Sequence, residues 1–433
     1  MLAEGCFRKW LFPNYYVEIY FLKDIFLLFI YLFAIKYEFF LKKRLEKILI
    51  ALAALVSLWG LIGYIIDGHS IAAYFLGLRS YWIFLPIAFI IANIFEADDL
   101  IKFIKINFYI IIPYFFLILL QTYSPESSII NSGYNSVVLA PHRPTGFFTF
   151  TTQNTFFIIF LSVLFFMYIL YIKTLSIKNY IFIFLVNFFL ISILILLKSR
   201  TVYIYYLFIW GFSFLSLFYL SDNKLKIKKI LIILVFIPLL FLLSTKIFSV
   251  EYKFSTVRFN TDKSDDLNIV KYYQDKRHSS NEESRNYSNY YNKVEDFCEK
   301  QSSFCRVIDS LFFVSEIKKS SFFGHGIGAG SSTVATFLNK KKLYLGENES
   351  QRIVQELGYV VGVVINILKY LVIFFLFLFF LKKKTNIPAL VPLLIFISVL
   401  LILGNITYSA TFTSYIFWLC LGFLLSFFYT NKI

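Results

Sequence analysis

Five arginines, Arg79, Arg143, Arg200, Arg306 and Arg352, stand at the margins of apolar stretches or inside one long polar block. A guanidinium is a planar fork that grips phosphate or carboxylate at two points, where a lysine ammonium is only a point charge. Such a group asks for an anionic partner; the plain alternative is that each snorkels to headgroups or pairs with an acid. Lys198 and Arg200 flank Ser199 in a very short connection, so two cations sit at one membrane rim. That placement suits a lipid phosphate or, more plainly, nonspecific headgroup contact. Arg143-Pro144-Thr145-Gly146-Phe147-Phe148 reads as a tight turn where backbone can approach a ligand, or as a simple loop turn. Arg306 opens a segment with Val307, Leu311, Val314 and Ile317 at helical spacing, which predicts an amphipathic surface helix. Next comes Gly324-His325-Gly326-Ile327-Gly328, in which His325 is either a base or a structural turn residue. No strand precedes this glycine run, so it is not a dinucleotide fingerprint. Glu347-Asn348-Glu349 then lead toward an apolar helix. An acid there can take a proton from a hydroxyl, or simply cap the helix.

The elements that must position these groups are membrane helices. The 433 residues are 59% hydrophobic and 21% aromatic, with a mean hydropathy of +0.71, far from ordinary soluble composition. Continuous apolar runs near 230–243 and 370–381 exclude the alternation of a barrel, leaving helices as the spanning form. The pattern predicts an all-α polytopic membrane protein with about eleven transmembrane helices, near 18–35, 48–66, 81–95, 108–120, 151–172, 180–197, 203–220, 230–248, 358–381, 389–403 and 411–428. Three parts follow: an N-terminal bundle over 1–248, one large extracytoplasmic loop with short helices over 249–357, and C-terminal helices over 358–433.

Lysine-rich connections at 36–47, 102–105, 173–178, 224–229 and 382–384 fall at every second loop, as cytoplasmic loops do. The other connections, among them 67–80, 121–146, 198–201 and the long block, are then outside. So is the N-terminus, while the C-terminus is inside. The net charge of +16 is therefore a topological signal, and no nucleic-acid partner is expected. No zinc spacing or CxxC pair occurs, and neither metal nor cofactor is expected. Residues 1–13 lack the basic-then-apolar order of a cleavable signal peptide. Cys6 and Cys420 read as apolar fillers; Cys298 and Cys305 are either a disulfide or two free thiols. The stretch 261–292 is polar, and its Tyr287, Tyr290 and Tyr291 either stack on a ligand or belong to a mobile tip.

Taken in order, these segments resemble the O-antigen ligase and O-antigen polymerase superfamily. The resemblance runs from Arg143 to Gly362. Arg143–Asn154 is similar to the family's R-x-x-G-x-F stretch, and Ser199-Arg200 to its SR turn between two spans. In the late loop Arg306 precedes the glycine turn, as in the family. Glu347-Asn348 precedes Glu356-Leu357-Gly358-Tyr359-Val360-Val361-Gly362, like the family's HN and E-L-G-x-x-G with one extra residue between the glycines. Glu347 stands where ligases of the family carry histidine, a departure that favours a polymerase-type member.

The resemblance implies a multi-pass protein of the bacterial inner (plasma) membrane. It would be a metal-independent glycosyltransferase that joins undecaprenyl-diphosphate-linked oligosaccharide repeats into O-antigen or exopolysaccharide. Its partners would be that lipid-linked glycan, membrane lipids and, as a further candidate, a chain-length regulator protein. Arg200 and Arg306 would hold the leaving diphosphate, with Lys198 assisting and Arg143 or Arg352 on diphosphate or glycan. Glu347 is the first candidate base, with Glu349 and His325 as reserves. Ligase transfer to lipid A core or protein is the alternative chemistry. A flippase or exporter and a receptor are the non-enzymatic ones, and no internal repeat of an exporter is seen.

Overall fold

The computed structural model describes residues 2–68, 70–125, 128–131, 144–148, 151–172, 176–197, 199–216, 227–230, 232, 237, 320–329, 334, 349–382, 390–403 and 411–429. Most of the span expected at 230–248 and most of the long loop, with its tyrosines and with Cys298 and Cys305, lie outside the described residues.

Among the described residues the regular elements are helical. A short helix α1 (Leu2–Cys6) runs into a π turn at Phe7–Leu11. Then follow α2 (Tyr16–Lys36), α3 (Arg44–Ile66), α4 (Ile71–Trp82), α5 (Leu85–Ile94), α6 (Ala97–Tyr123), α7 (Thr151–Tyr171), α8 (Ile177–Leu196) and α9 (Arg200–Ser216). After the long loop come α10 (Glu349–Lys382), α11 (Val391–Leu403) and α12 (Thr411–Tyr429). Among the described residues six helical stretches are long and apolar enough to cross a membrane, and α9, α11 and α12 are shorter apolar helices. This is a helical membrane protein.

The centre is α7. Ile158, Leu161, Val163, Phe165 and Phe166 point in different directions around it, and all are fully buried. A helix apolar on every side has to be covered on every side, and α6, α8, α9, α11 and α12 surround it. α12 also lies along α5, where a Cβ on Gly422 would come within 2.8 Å of the Ala88 carbonyl oxygen. Small residues at such a crossing let two backbones approach, which drives association in lipid. On the outside, Phe26, Phe29 and Phe33 of α2 and Leu55 and Leu58 of α3 are exposed, a surface that suits acyl chains.

Two boundaries differ from the hydropathy reading. The connection expected at 67–80 is helical from Ile71, capped by the Ser70 side chain on the Ala73 amide. Hydropathy missed it because Gly77, Arg79 and Ser80 dilute the apolar signal. α4 and α5 together cover one span, interrupted before Pro86, which has no amide to offer Trp82 and crowds the preceding turn. The Ile87 amide turns to Phe84, and the Ile83 carbonyl accepts from the Tyr31 hydroxyl of α2 instead. Lys102 and Lys105, expected in a connection, ride on the first turns of α6, whose 27 residues extend ~40 Å against a hydrocarbon core of ~30 Å.

The span expected at 358–381 matches the long limb of α10, but the chain just before it does something hydropathy does not show. By length and composition 349–375 is a single span. Yet the Asn366 amide donates to the Ser350 carbonyl at 2.9 Å, and the Lys369 ammonium meets the Glu349 carboxylate at 2.5 Å. In a straight helix, residues sixteen apart would be separated by ~24 Å. The chain therefore folds back at Gly358, whose backbone (φ 79°, ψ 167°) is not helical. The limb 349–357 lies antiparallel on the limb 359–382. Only the second limb is long enough to cross.

Lys369 and Glu349 are both largely buried, with side-chain exposures of 12% and 2%. Removing one partner leaves the other charge buried and uncompensated, at a cost of ~3–5 kcal/mol, whereas an apolar replacement of both is near neutral. Glu349→Gln and Lys369→Met should each lower the thermal midpoint in detergent more than the double variant does, a comparison that thermal unfolding of the purified protein makes directly.

Candidate functional site

The fold-back brings together two motifs that lie about thirty residues apart in the chain. The limb ends in Gln355-Glu356-Leu357-Gly358, and against it sits the glycine turn 324–328. The His325 amide donates to the Gln355 carbonyl at 3.0 Å and the Gly326 amide to the Glu356 carbonyl at 2.8 Å. From the other side the Tyr359 amide donates to the Ser321 carbonyl at 3.2 Å. The Leu357 carbonyl accepts from the Trp59 indole of α3 at 2.8 Å. Four backbone groups around the break thus meet named partners, from the turn, from Ser321 just before it and from α3.

Gly358 is the pivot. Its φ of 79° lies in the left-handed region, and a Cβ there would stand 2.0 Å from the Phe322 carbonyl oxygen. The glycine turn is in turn pressed between α3 and α4. A Cβ on Gly77 of α4 would meet the Ile327 carbonyl oxygen at 1.9 Å, and the Ile327 side chain fills the notch above Gly60 of α3. Tyr81, Ile327, Ile353 and Leu357 form a small core of their own around this contact.

Polar groups are built into this joint. The Glu356 carboxylate, 1% exposed, accepts from the Tyr81 hydroxyl at 2.5 Å and from the Gly328 amide at 2.9 Å, through the same oxygen. Arg352, one turn upstream on the same limb, is 9% exposed. His325 leans toward the end of α3, where its Nδ1 lies 2.5 Å from Oδ2 of Asp67. This pair is only partly covered, at 20% and 25% side-chain exposure.

A second polar joint lies where the N-terminal segment crosses the turn 144–148. The Lys9 ammonium donates to the Thr145 hydroxyl at 2.7 Å and to the Gly146 carbonyl at 3.1 Å. Gln121 pairs with the same residue through both ends of its amide, Oε1 to the Gly146 amide at 2.7 Å and Nε2 to the Gly146 carbonyl at 3.3 Å. Asn154 donates to the Pro144 carbonyl at 2.9 Å. Glu4 accepts from both Arg8 and Lys23, and Arg79 is ion-paired with Asp24 and bonded to the Tyr20 hydroxyl. Arg79 therefore has an acid within the bundle, the plainer of the two readings open to an arginine of its kind.

Of the residues singled out from the sequence, His325 and Arg352 are described at the first joint, and Arg79 and Glu349 are described with acid and amine partners elsewhere. The backbone of Arg200 opens α9. Arg143, Lys198, Arg306 and Glu347 lie outside the described residues. Glu349, a reserve base, is occupied by Lys369. Sequence reasoning missed Asp67, Tyr81 and Lys369 and gave Glu356 no role. Lys369 did carry a signal, as a lone cation inside an apolar run, where an ionisable group calls for a partner. Among the described residues no three His, Cys, Asp or Glu side chains gather as a metal set.

No family model matches the chain, and no match was found among the curated proteins or the solved structures.

Gly358→Ala should abolish accumulation of folded protein, because the methyl group meets a fixed carbonyl in a conformation that also opposes a side chain. Gly211→Ala is the control. Gly211 has open space around it in α9, so a Cβ there should leave the thermal midpoint unchanged or raise it slightly. Size-exclusion profiles and thermal melts of both variants make the check.

Lys9 yields a pH dependence. Burial pushes its ammonium down to about 8, with Cys6 pulling weakly the other way. The unfolded chain keeps that proton to about pH 10.4. Between these values unfolding takes up a proton, so the Lys9 contribution to stability rises with pH across that window and is flat below it. Melts of the wild type and Lys9→Met at pH 7, 8.5 and 10 should show the wild type gaining on the variant only in the upper part of the range.

Proposed function

We propose that this chain is a membrane glycosyltransferase that polymerises oligosaccharide repeats carried on undecaprenyl diphosphate, working at the outer face of the bacterial plasma membrane. The observation that carries the reading is the joint at Gly358. The glycine turn and the E-L-G segment, two motifs of the superfamily this sequence resembles, interlock on the ends of α3 and α4 that the lysine distribution puts outside. The backbone of Arg200, which begins α9, falls at the same side by that topology.

The chemistry fits such a site. A saccharide leaving a diphosphate develops negative charge on the leaving group, and fixed cations facing it lower the barrier. Arg200 and Arg306 take that role, with Lys198, Arg143 and Arg352 as further contacts to diphosphate or glycan. A base near the acceptor hydroxyl completes the reaction. Glu347 in place of the histidine of ligases favours polymerisation over transfer of finished glycan to lipid A core or protein.

Deletion and complementation, read by gel analysis of surface polysaccharide, tests the proposal. Deletion should collapse the ladder to a single repeat unit, and Arg200→Ala or Arg306→Ala should fail to restore it at normal protein level. An unchanged ladder in these strains would sink any transferase role. Loss of all attached glycan, with polymer retained on the lipid carrier, would point to a ligase.

A further inference from the structure

The geometry points to His325 as the general base of this transfer, with Asp67 as the residue that positions it; the assignment rests on the glycosyltransferase reading above. Four observations carry it. The contact from Nδ1 to the Asp67 carboxylate at 2.5 Å fixes the tautomer, placing the proton on Nδ1 and the lone pair on Nε2. The His325 backbone is clamped, with its amide on Gln355 and a left-handed glycine on each side, Gly324 at φ 72° and Gly326 at φ 92°. Asp67 caps the C-terminal end of α3, where the helix dipole disfavours a carboxylate, so its position is explained by what it does for the histidine rather than for the helix. And of the ionisable groups on the turn and the limb, the imidazole is the more accessible. Glu349 and Glu356 are 3% and 1% exposed and engaged by Lys369 and Tyr81, whereas the His325 ring is one-fifth exposed.

In the step this permits, the proton of the acceptor hydroxyl passes to Nε2. The electron pair it leaves on oxygen forms the new bond to the anomeric carbon of the donor sugar. The bond from that carbon to the diphosphate oxygen breaks, and its electron pair leaves with the diphosphate. Asp67 stabilises the imidazolium until the proton is released to water. Holding a base in the right tautomer and orientation is what a carboxylate contributes in such a dyad.

The test uses membranes containing the full chain, supplied with the lipid-linked repeat unit extracted from the deletion strain, and follows polymer formed with time. His325→Ala should lower turnover by about a hundredfold or more, the range of general base catalysis, at unchanged KM for the acceptor. Free imidazole should restore part of it. Asp67→Asn should lower turnover by about tenfold, and Asp67→Glu should recover most of the loss. His325→Ala turning over within about threefold of wild type, while Arg200→Ala is dead, overturns the dyad and leaves the transferase reading standing. So does an inactive, normally folded His325→Ala that imidazole does not rescue, or a loss confined to Glu347→Gln. A wild-type chain that makes no polymer in this assay removes both.

Discussion

Lipid offers a peptide group no partner, so any amide or carbonyl that leaves a helix inside the bilayer must be met by protein. The most demanding place in this chain is the fold-back at Gly358. Four backbone groups around it, the carbonyls of Gln355, Glu356 and Leu357 and the amide of Tyr359, are met by the glycine turn, by Ser321 and by Trp59. A segment lying more than twenty residues away in the chain is therefore not an appendage of the helical bundle. Without it the end of the limb 349–357 would present unpaired carbonyls. The smaller interruption before Pro86 follows the same rule, with Tyr31 meeting the Ile83 carbonyl.

Charges obey the constraint as strictly. Lys369 finds Glu349, Arg79 finds Asp24, and Lys23 finds Glu4. Lys229, 1% exposed, donates to the Leu170 carbonyl at the end of α7 at 2.6 Å. Apart from the pair that ties the two limbs of α10, the partners lie on different elements, so these pairs also fix register between helices. A helix that slid by one turn would trade a satisfied charge for a buried lone one, a penalty several times larger than the loss of one apolar contact. The N-terminal segment gains its place this way: Glu4 and Lys9 anchor it to α2 and to the turn at Gly146.

How much of this could be read from the sequence depends on whether the feature is local. α7 and α8 were legible because an uninterrupted apolar run of the right length has few other fates in a membrane protein. The start of α4 was not, since Gly77 and Arg79 lower hydropathy and Gly77 weakens the helical signal as well. Gly77 is there for contact with Ile327 and Arg79 for contact with Asp24, both tertiary reasons. The fold-back was hidden for a related cause. A glycine that reverses the chain and a glycine that merely packs leave the same mark on a hydropathy profile. The glycine turn and the E-L-G segment were each visible as motifs, yet their partnership depends on notches in α3 and α4 that no local pattern encodes. Asp67 was read only as loop.

The same constraint bears on chemistry. Positioning a reactive group to within about half an ångström takes neighbours that are themselves locked, and loops exposed to water seldom provide them. Here the lock exists for another reason. The turn around His325 is rigid because the broken helix beside it has to be satisfied, and the notch in α3 is narrow because the turn must reach that break. A side chain projecting from this turn inherits the rigidity without further cost. His325 is placed at the margin of the joint, next to a carboxylate and one-fifth exposed. Glu356, buried deeper, is consumed in holding the joint together. Depth thus separates Glu356, which maintains the architecture, from His325, to which the proposed base role is given.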